Sequence, residues 1–288
     1  MNQFLKGALI ANAAAMGFNW VYNIPYLERL AKQEDLLFQK ADEAKYKRAR
    51  KAVLAYPYAE IGDVSLQGEI AKWLYEALKN NPELTKEDYE EIVYEKIKPG
   101  GFYRGWIESY GRKLVFNRLH KEIDEESEAL SIQDDQLIGF VPYIVCKALD
   151  LPNEKAWELA QAFTDNEDYK DFYKVFDGII QNLGQHSLKE ALQLSLQEVP
   201  KHYGFKLTMA ISMDSVKDFV LQLVNTSCSI KYAIPLIYAI LSHTDNYEEA
   251  VRLNTLLGGA SSDRAMLIGA LYSLTSEIPK EWQDIVKT

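Results

Sequence analysis

Residues 258–264 place two glycines, two hydroxyl groups, a carboxylate and a guanidinium side by side, the densest group of chemically useful side chains in this sequence. They read Gly-Gly-Ala-Ser-Ser-Asp-Arg and follow an apolar-periodic run that ends at Leu257. Gly258 can end that helix with a positive φ, and Gly259 lets the backbone approach a ligand closely. The stretch therefore predicts a tight turn between two helices.

Ser261, Ser262 and Asp263 can each cap the helix that follows this turn. A helix N-terminus with hydroxyl groups, a carboxylate and the guanidinium of Arg264 can bind a phosphate, a sugar hydroxyl or a cation. A well-capped, closely packed corner between two helices has the same residue pattern, since helix caps are common. The residues alone leave both interpretations open.

Four other carboxylates lie, like Asp263, near the junction of a polar turn with an apolar helix; they are Asp63, Glu69, Asp134 and Asp135. Carboxylate and hydroxyl oxygens are the ligands that Mg²⁺ and Mn²⁺ prefer, so a site for one of these ions is chemically sensible. The alternative is that each carboxylate stabilises the dipole of its own helix.

Several common catalytic motifs are missing from the sequence, namely HExxH, the Walker loop, GxSxG and GxGxxG. The four histidines, His120, His186, His202 and His243, lack the spacing of metal ligands. Each is more typical of a surface or capping residue. Acyl transfer by a serine or cysteine triad has no support.

Composition narrows the classes of partner. The 288 residues are 48% hydrophobic and 26% charged, as in an ordinary globular protein, and their formal net charge is -10. This charge disfavours nucleic acid as a partner. Cys146 and Cys228 lie in apolar contexts without CxxC spacing, which favours free thiols in a reducing compartment. We therefore expect a cytoplasmic protein.

The apolar stretch of residues 7–18 has two interpretations. It follows Lys6 and resembles the charged and apolar regions of a signal peptide. It is too short for a transmembrane helix and leads directly into Trp20, without the polar start of a mature chain. A buried helix rich in small residues is the better interpretation, and no membrane partner is expected.

Apolar periodicity and breaker residues predict helices along most of the chain. Thr85 begins a near match to a capping box, Ser187 begins a full one, and Pro235 is expected in the first turn of its helix. No alternating strand pattern or hairpin signal stands out. The sequence thus predicts an all-α fold of ten or more helices in one domain, residues 1–288. The main predicted segments are 3–17, 67–79, 85–96, 103–120, 137–149 and 232–243.

Four patches of sequence, in order from residue 7 to about residue 271, resemble the ADP-ribosylglycohydrolase superfamily. Residues 7–22 resemble the opening GALIADALxLGxHWxYD of a divergent branch, and residues 68–78 resemble its GDQ segment. Residues 227–235 resemble its SCxAxP stretch, and residues 258–265 resemble its GGDSSxRA. The resemblance implies a compact all-α fold, an ADP-ribosylglycohydrolase-like orthogonal bundle.

Classical members of this family use two magnesium ions to position a ribose and activate water, which cleaves the bond between ADP-ribose and its acceptor. This sequence departs from the family at the expected ligands. Asn12, Asn19 and Asn23 stand where the branch has Asp, His and Asp. Glu69 and Ala260 each stand where it has Asp. Alanine has no side-chain oxygen, and asparagine lacks the charge that holds a hard divalent ion, so a two-metal site is not expected.

The resemblance supports two hypotheses. The first is a hydrolase of N-ribosyl or ADP-ribosyl bonds that acts with one metal ion or with Glu69 or Asp263 as general base. The second is a non-catalytic pseudoenzyme that binds a nucleotide or sugar. A third alternative, an interaction protein, has only the acidic segment 122–128 as a hint. The ligand would be a small molecule or an ADP-ribosylated substrate, and the oligomeric state stays open.

Two sets of residues are the candidates for these roles. The candidate metal ligands, for one Mg²⁺ or Mn²⁺ ion, are Glu69, Asp134, Asp135 and Asp263. The candidate ligand-binding residues are Asn12, Asn19, Gly258, Gly259, Ser261, Ser262 and Arg264.

Overall fold

Helical periodicity along the sequence is matched by helices in the computed structural model, which describes residues 1–124, 126, 128–131 and 136–286. Within these residues no strand is present, and only isolated bridges join Val21 to Ala52 and to Gly259. The predicted all-α fold is confirmed. The helices are α1 (Gln3–Ala15), α2 (Ile24–Ala31), α3 (Glu43–Ala49), α4 (Leu66–Asn80), α5 (Lys86–Ile97), α6 (Ser109–Ile123), α7 (Phe140–Ala148), α8 (Asn153–Ala160), α9 (Asp168–Asn182), α10 (Leu188–Ser195), α11 (Lys201–Ser212), α12 (Val216–Leu223), α13 (Ile230–Ser242), α14 (Tyr247–Leu257), α15 (Ser261–Tyr272) and α16 (Lys280–Gln283).

Helices α1 and α15 come from opposite ends of the sequence and cross in direct backbone contact. A Cβ atom added at Gly7 would lie 2.5 Å from the carbonyl oxygen of Gly269, and one added at Gly269 would overlap the carbonyl oxygen of Gly7. Both positions therefore need glycine for this close approach. The crossing explains why α1 is rich in small residues and why residues 4–5 and 7–15 are buried.

The main hydrophobic core is one cluster of buried side chains, and its members come from all parts of the described sequence, from Phe4 to Val286. Helix α13 lies within it, with nearly all of its residues buried, as its apolar sequence predicts. Its start was predicted incorrectly. The helix begins at Ile230 instead of Tyr232, so Pro235 lies in the second turn and not the first.

Local capping signals were reliable elsewhere. Thr85 and Ser187 both form the predicted capping boxes, with Asp88 and Glu190 as the reciprocal partners. The helix predicted for residues 103–120 was wrong at its start, because α6 begins only at Ser109. Residues before it form a loop whose backbone folds back on α5, and this loop is important for the site described below.

No helix in the described part of the chain is both long enough and apolar enough to span a bilayer.

Candidate functional site

The turn between α14 and α15 and the first four residues of α15, together residues 258–264, lie at the centre of the site and are called the glycine corner below. Its backbone pairs with the loop that follows α1. Trp20 donates its N–H to the carbonyl oxygen of Gly259 over 2.6 Å, and Gly259 donates its N–H to that of Val21 over 2.8 Å. Trp20 adopts a φ of 63°, which is strained for a bulky residue. Two distant parts of the sequence are thereby held together.

Both glycines of the corner have positive φ, 68° at Gly258 and 69° at Gly259. A Cβ atom at Gly258 would overlap the carbonyl oxygen of Val21, and one at Gly259 would overlap that of Thr226. These glycines are therefore required because other backbone segments of the same chain pack directly against them. Their assignment as ligand-binding residues stays a prediction.

The predicted capping of α15 was wrong. Ala260 occupies the N-cap position and makes no side-chain cap, while Ser261, Ser262 and Asp263 lie within the first turn of the helix. The N–H of Ser262 is instead satisfied from outside the helix, by the Oδ1 of Asn19 over 3.1 Å. Sequence patterns detect caps within a local segment, and here the cap comes from a distant loop.

Asn12, Ser65 and Asp263 form one buried hydrogen-bond network between α1, the start of α4 and α15. The Nδ2 of Asn12 donates to the Oγ of Ser65 over 2.8 Å and to the carbonyl oxygen of Ser262 over 3.0 Å. The Oδ1 of Asn12 accepts from the N–H of Ser65 over 2.8 Å. The hydroxyl of Ser65 donates to the Oδ1 of Asp263 over 2.8 Å. The side-chain amide of Asn12, which was predicted to bind a ligand, is therefore bonded to other groups of the protein.

The guanidinium of Arg264 is fully buried and closes the end of α14. Its Nε donates to the Oδ1 of Asn254 over 2.7 Å, and its Nη2 donates to the carbonyl oxygen of Gly258 over 2.8 Å. The carbonyl groups at the end of a helix carry partial negative charge, so a cation is stabilised at this position. Arg264 therefore stabilises the corner through hydrogen bonds to Asn254 and Gly258.

Burial shifts the titration of both charged groups. It raises the pKa of the Asp263 carboxyl to about 7, although the hydrogen bond from Ser65 and the charge of Arg264 act in the opposite direction. It lowers the pKa of the Arg264 guanidinium to about 10. Asp263 consequently exchanges a proton near neutral pH, whereas Arg264 keeps its charge there.

A cleft of about 600 Å³ lies next to the corner and is called the aromatic cleft. Glu69 lines it, paired with Lys72 at 3.2 Å, and Asp63 and Arg104 also contribute to its wall. Glu69 and Asp263, the two predicted catalytic residues, thus differ in setting, since Asp263 is buried in the network. The aromatic side chains that line the cleft are Tyr56, Tyr58, Trp73, Phe102, Tyr103 and Trp106.

Tyr56 joins the aromatic cleft to the corner. Its hydroxyl accepts from the N–H of Leu66, which follows Ser65, over 3.1 Å and donates to the Oε1 of Glu108 over 3.0 Å. Glu108 is fully buried and was not identified from the sequence. The signal that could have indicated it is its position just before a helix, where acidic residues stabilise the dipole.

The aromatic residues of the cleft wall and mouth were not predicted from the sequence as part of a site, unlike Asp63 and Glu69. Trp106 was placed inside a helix, but it lies in the loop before α6 and packs edge to face on Trp20, with the ring centroids 6.1 Å apart. Tyr58 and Phe102 line the cleft with 89% and 82% of their surfaces exposed. Exposed aromatic side chains at a cleft are available to stack on a planar ligand.

The described residues do not fit a divalent metal centre of the classical type. No three side chains of His, Cys, Asp or Glu come together as a metal site within the described ranges. Glu69 lies in the cleft, Asp263 is hydrogen-bonded in the network, and Asn23 caps α2. Asp134 and Asp135, the other predicted metal ligands, lie outside the described residues.

Comparison with known proteins gives a fold-level match. No family model and no curated protein matches the sequence. Among solved structures, the chain is similar to one described as an ADP-ribosylglycohydrolase-related protein complex, with a TM-score of 0.60. The match covers 99% of this chain and 92% of the other. The chain has an ADP-ribosylglycohydrolase-like fold. Because only 14% of the aligned residues are identical, the likeness establishes the fold and not the activity.

The ADP-ribosylglycohydrolase-like fold agrees with the expectation from the sequence motifs. The finer expectation, a divergent branch with altered metal ligands, stays a prediction. Of the residues at those positions, Asn12 belongs to the network with Ser65 and Asp263, and Glu69 lines the aromatic cleft.

Proposed function

We propose that this protein is a non-catalytic binder of a nucleotide or sugar ligand of the ADP-ribose class, and that the ligand lies in the aromatic cleft. One observation carries the proposal: six aromatic side chains line an open cleft beside a corner where Asn12, Ser65 and Asp263 are hydrogen-bonded to one another. Stacking surfaces are therefore present, while the corner offers no cluster of ligating acids within the described residues.

The size and lining of the cleft suit such a ligand. Its volume of about 600 Å³ is typical of pockets that bind small organic molecules. Stacking of an aromatic side chain on a nucleobase contributes about 1 to 3 kcal/mol of binding free energy for each base, and every base presents a flat face. The proposed nucleobase would stack near the mouth, on Tyr58 or Phe102.

Charged side chains in the cleft offer partners for the polar part of the ligand. The Nη1 of Arg104 donates to the carbonyl oxygen of Gly101 over 2.6 Å, and a guanidinium carries five N–H groups in all. Such a group binds phosphate oxygens well. The carboxylates of Glu69 and Asp63 can accept hydrogen bonds from ribose hydroxyl groups.

Isothermal titration of ADP-ribose, adenosine and ribose 5-phosphate into chelator-treated protein tests the proposal. We expect ADP-ribose and adenosine to bind, and Phe102→Ala to weaken both about five- to hundredfold through the lost stacking. Phe205→Ala is the matched control, since Phe205 is an exposed aromatic residue on α11, 68% accessible and not part of the cleft. Lack of binding by all three ligands would overturn the proposal.

A second candidate function is hydrolysis of an ADP-ribosyl bond with Glu69 as general base. The observation in its favour is that Glu69 lines the cleft, where a substrate could reach it. The assay is release of ADP-ribose from ADP-ribosylated proteins and small molecules, with Glu69→Gln as the test variant. Release that this variant abolishes would support the hydrolase and refute a purely binding role.

A further inference from the structure

The glycine corner brings together four helices from three distant parts of the sequence. Asn12 contributes from α1, Ser65 caps α4, Asn254 lies near the end of α14, and Asp263 lies in the first turn of α15. All four side chains are buried. In a fold of this kind, a buried point where helix ends meet needs groups that satisfy the unpaired N–H and C=O groups.

The orientation of the Asn12 amide is determined by its partners. The backbone N–H of Ser65 can only donate, so the atom that faces it over 2.8 Å must be the amide oxygen. The carbonyl oxygen of Ser262 can only accept, so the atom that faces it over 3.0 Å must be the amide nitrogen. This position requires a side chain that both donates and accepts. An ionised carboxylate only accepts and would face the Ser262 carbonyl without a hydrogen bond.

Arg264 supplies the positive charge of the corner. Its guanidinium donates to the side chain of Asn254 and to the carbonyl oxygen of Gly258. Its positive charge also favours the ionised form of the Asp263 carboxyl and so lowers the pKa of that group. A divalent cation in the same buried space would add a second positive centre close to the guanidinium. Such like charges repel each other strongly when they are shielded from water.

The remaining polar atoms of the corner also disfavour a cation. Four buried side-chain atoms have no hydrogen-bond partner among the described residues: the Nδ2 of Asn19, the Oγ of Ser262, the Oδ2 of Asp263 and the Nη1 of Arg264. Two of them are nitrogen donors, which cannot ligate a cation. Mg²⁺ requires an octahedral shell of oxygen ligands. The donor set therefore does not fit the metal that the fold family implies.

We infer that the corner is a metal-independent lock, in which the guanidinium of Arg264 and the amide of Asn12 hold the four helix ends together. The lock does not depend on the ligand proposed for the aromatic cleft. Its consequence is that folding of this chain is insensitive to divalent cations. A carboxylate at position 12 is then harmful instead of useful, because it removes two hydrogen-bond donations from a buried site.

Thermal unfolding of the full chain tests this inference, with wild type compared after chelator treatment and with excess Mg²⁺ or Mn²⁺. We expect the same Tm under all conditions. A site filled at a hundred times its Kd would raise Tm by roughly 5 to 10 °C. A rise of this size, or a stoichiometric divalent metal found in native mass spectra of the purified protein, would overturn the inference.

Asn12→Asp makes the test sharper, because a metal site and a lock predict opposite results. We expect this variant to unfold roughly 5 to 10 °C lower than wild type, both with and without metal. A Tm that Mg²⁺ or Mn²⁺ restores would contradict the lock. Asn2→Asp is the matched control, since Asn2 caps the same helix at an exposed end and aspartate caps equally well. If Asn12→Asp does not fold, the wild-type measurements alone decide.

Discussion

Ser65 donates its hydroxyl hydrogen to the buried carboxyl group of Asp263 over 2.8 Å, although 198 positions separate the two residues in the sequence. The same hydroxyl oxygen accepts from the Asn12 amide and from the N–H of Gly68, and so begins α4. A single side chain thus caps α4 and connects it to two other helices, α1 and α15.

Replacement of Ser65 by alanine removes these bonds together. We expect Ser65→Ala to lower the free energy of unfolding by about 2 to 4 kcal/mol, because the cap is lost and buried groups of Asn12 and Asp263 lose a partner. Chemical denaturation measures this change. Ser187→Ala is the control, an exposed capping serine on α10 that should cost only about 1 kcal/mol. Equal losses in the two variants would contradict the network.

The raised pKa of Asp263 predicts a pH dependence of stability. Its carboxyl titrates near 7 when folded, against an ordinary value of 3.8. Between these values the folded protein holds a proton that the unfolded chain has released, so this group's contribution is fully present at low pH and is lost as pH rises to about 7. The loss should be up to about 1.4 kcal/mol for each pH unit.

Asp263→Asn isolates this contribution, because asparagine does not titrate. We expect the stability of the wild type relative to this variant to fall between pH 4 and pH 7 and to level off above, as measured by denaturant unfolding at each pH. Other titrating groups cancel in the difference. A relative stability that rises with pH would show that Asp263 is ionised in the folded protein.

Gly259 tolerates no side chain in this structure. Gly259→Ala should destabilise the protein by about 3 kcal/mol or more, because an L-residue is strained at a φ of 69° and its Cβ would overlap the Thr226 carbonyl. Gly178→Ala is the opposite case, since Gly178 lies inside α9 with open space around it. That variant should gain about 0.5 to 1 kcal/mol. Thermal unfolding of the pair distinguishes the two roles of glycine.

Tyr56→Phe tests the connection between the aromatic cleft and the corner. Loss of the hydroxyl leaves the buried N–H of Leu66 without its acceptor and removes one bond to Glu108, so we expect about 1 to 3 kcal/mol of destabilisation. Tyr58→Phe should leave unfolding unchanged, because Tyr58 is almost fully exposed. An equal loss of unfolding free energy in both variants would show that the effect of Tyr56→Phe does not come from the hydrogen bonds of its hydroxyl.

Local signals in the sequence predicted the fold class well. Apolar periodicity indicated helices, and the capping boxes at Thr85 and Ser187 formed as expected. These features depend on neighbours within a few residues, so the sequence contains the information directly. Predictions that depended on longer distances were less accurate. The N-cap of α15 was wrong because its N–H partner is Asn19, far away in the sequence.

The candidate site was predictable only in part. Residue types placed Gly258 to Arg264 at a turn between two helices, and the structure agrees. The aromatic cleft was not foreseen, since its walls combine the loop 54–59, one face of α4 and the loop 102–106. Nothing in the local pattern of these segments indicates that they meet. Residues 103–106 were even assigned to a helix, because Trp106 has helical spacing with Tyr110 and Leu114.

The sequence by itself determined which segments are helical, where several helices are capped and that glycine is needed at the turn after α14, because backbone propensity and capping act between near neighbours. Only the tertiary structure decided what the polar residues do. Asn12, Ser65 and Asp263 could each have faced a ligand, but the packing of α1, α15 and the start of α4 places Ser65 2.8 Å from each of the other two. Buried polar groups bond to the nearest partner, and tertiary packing sets which partner is nearest.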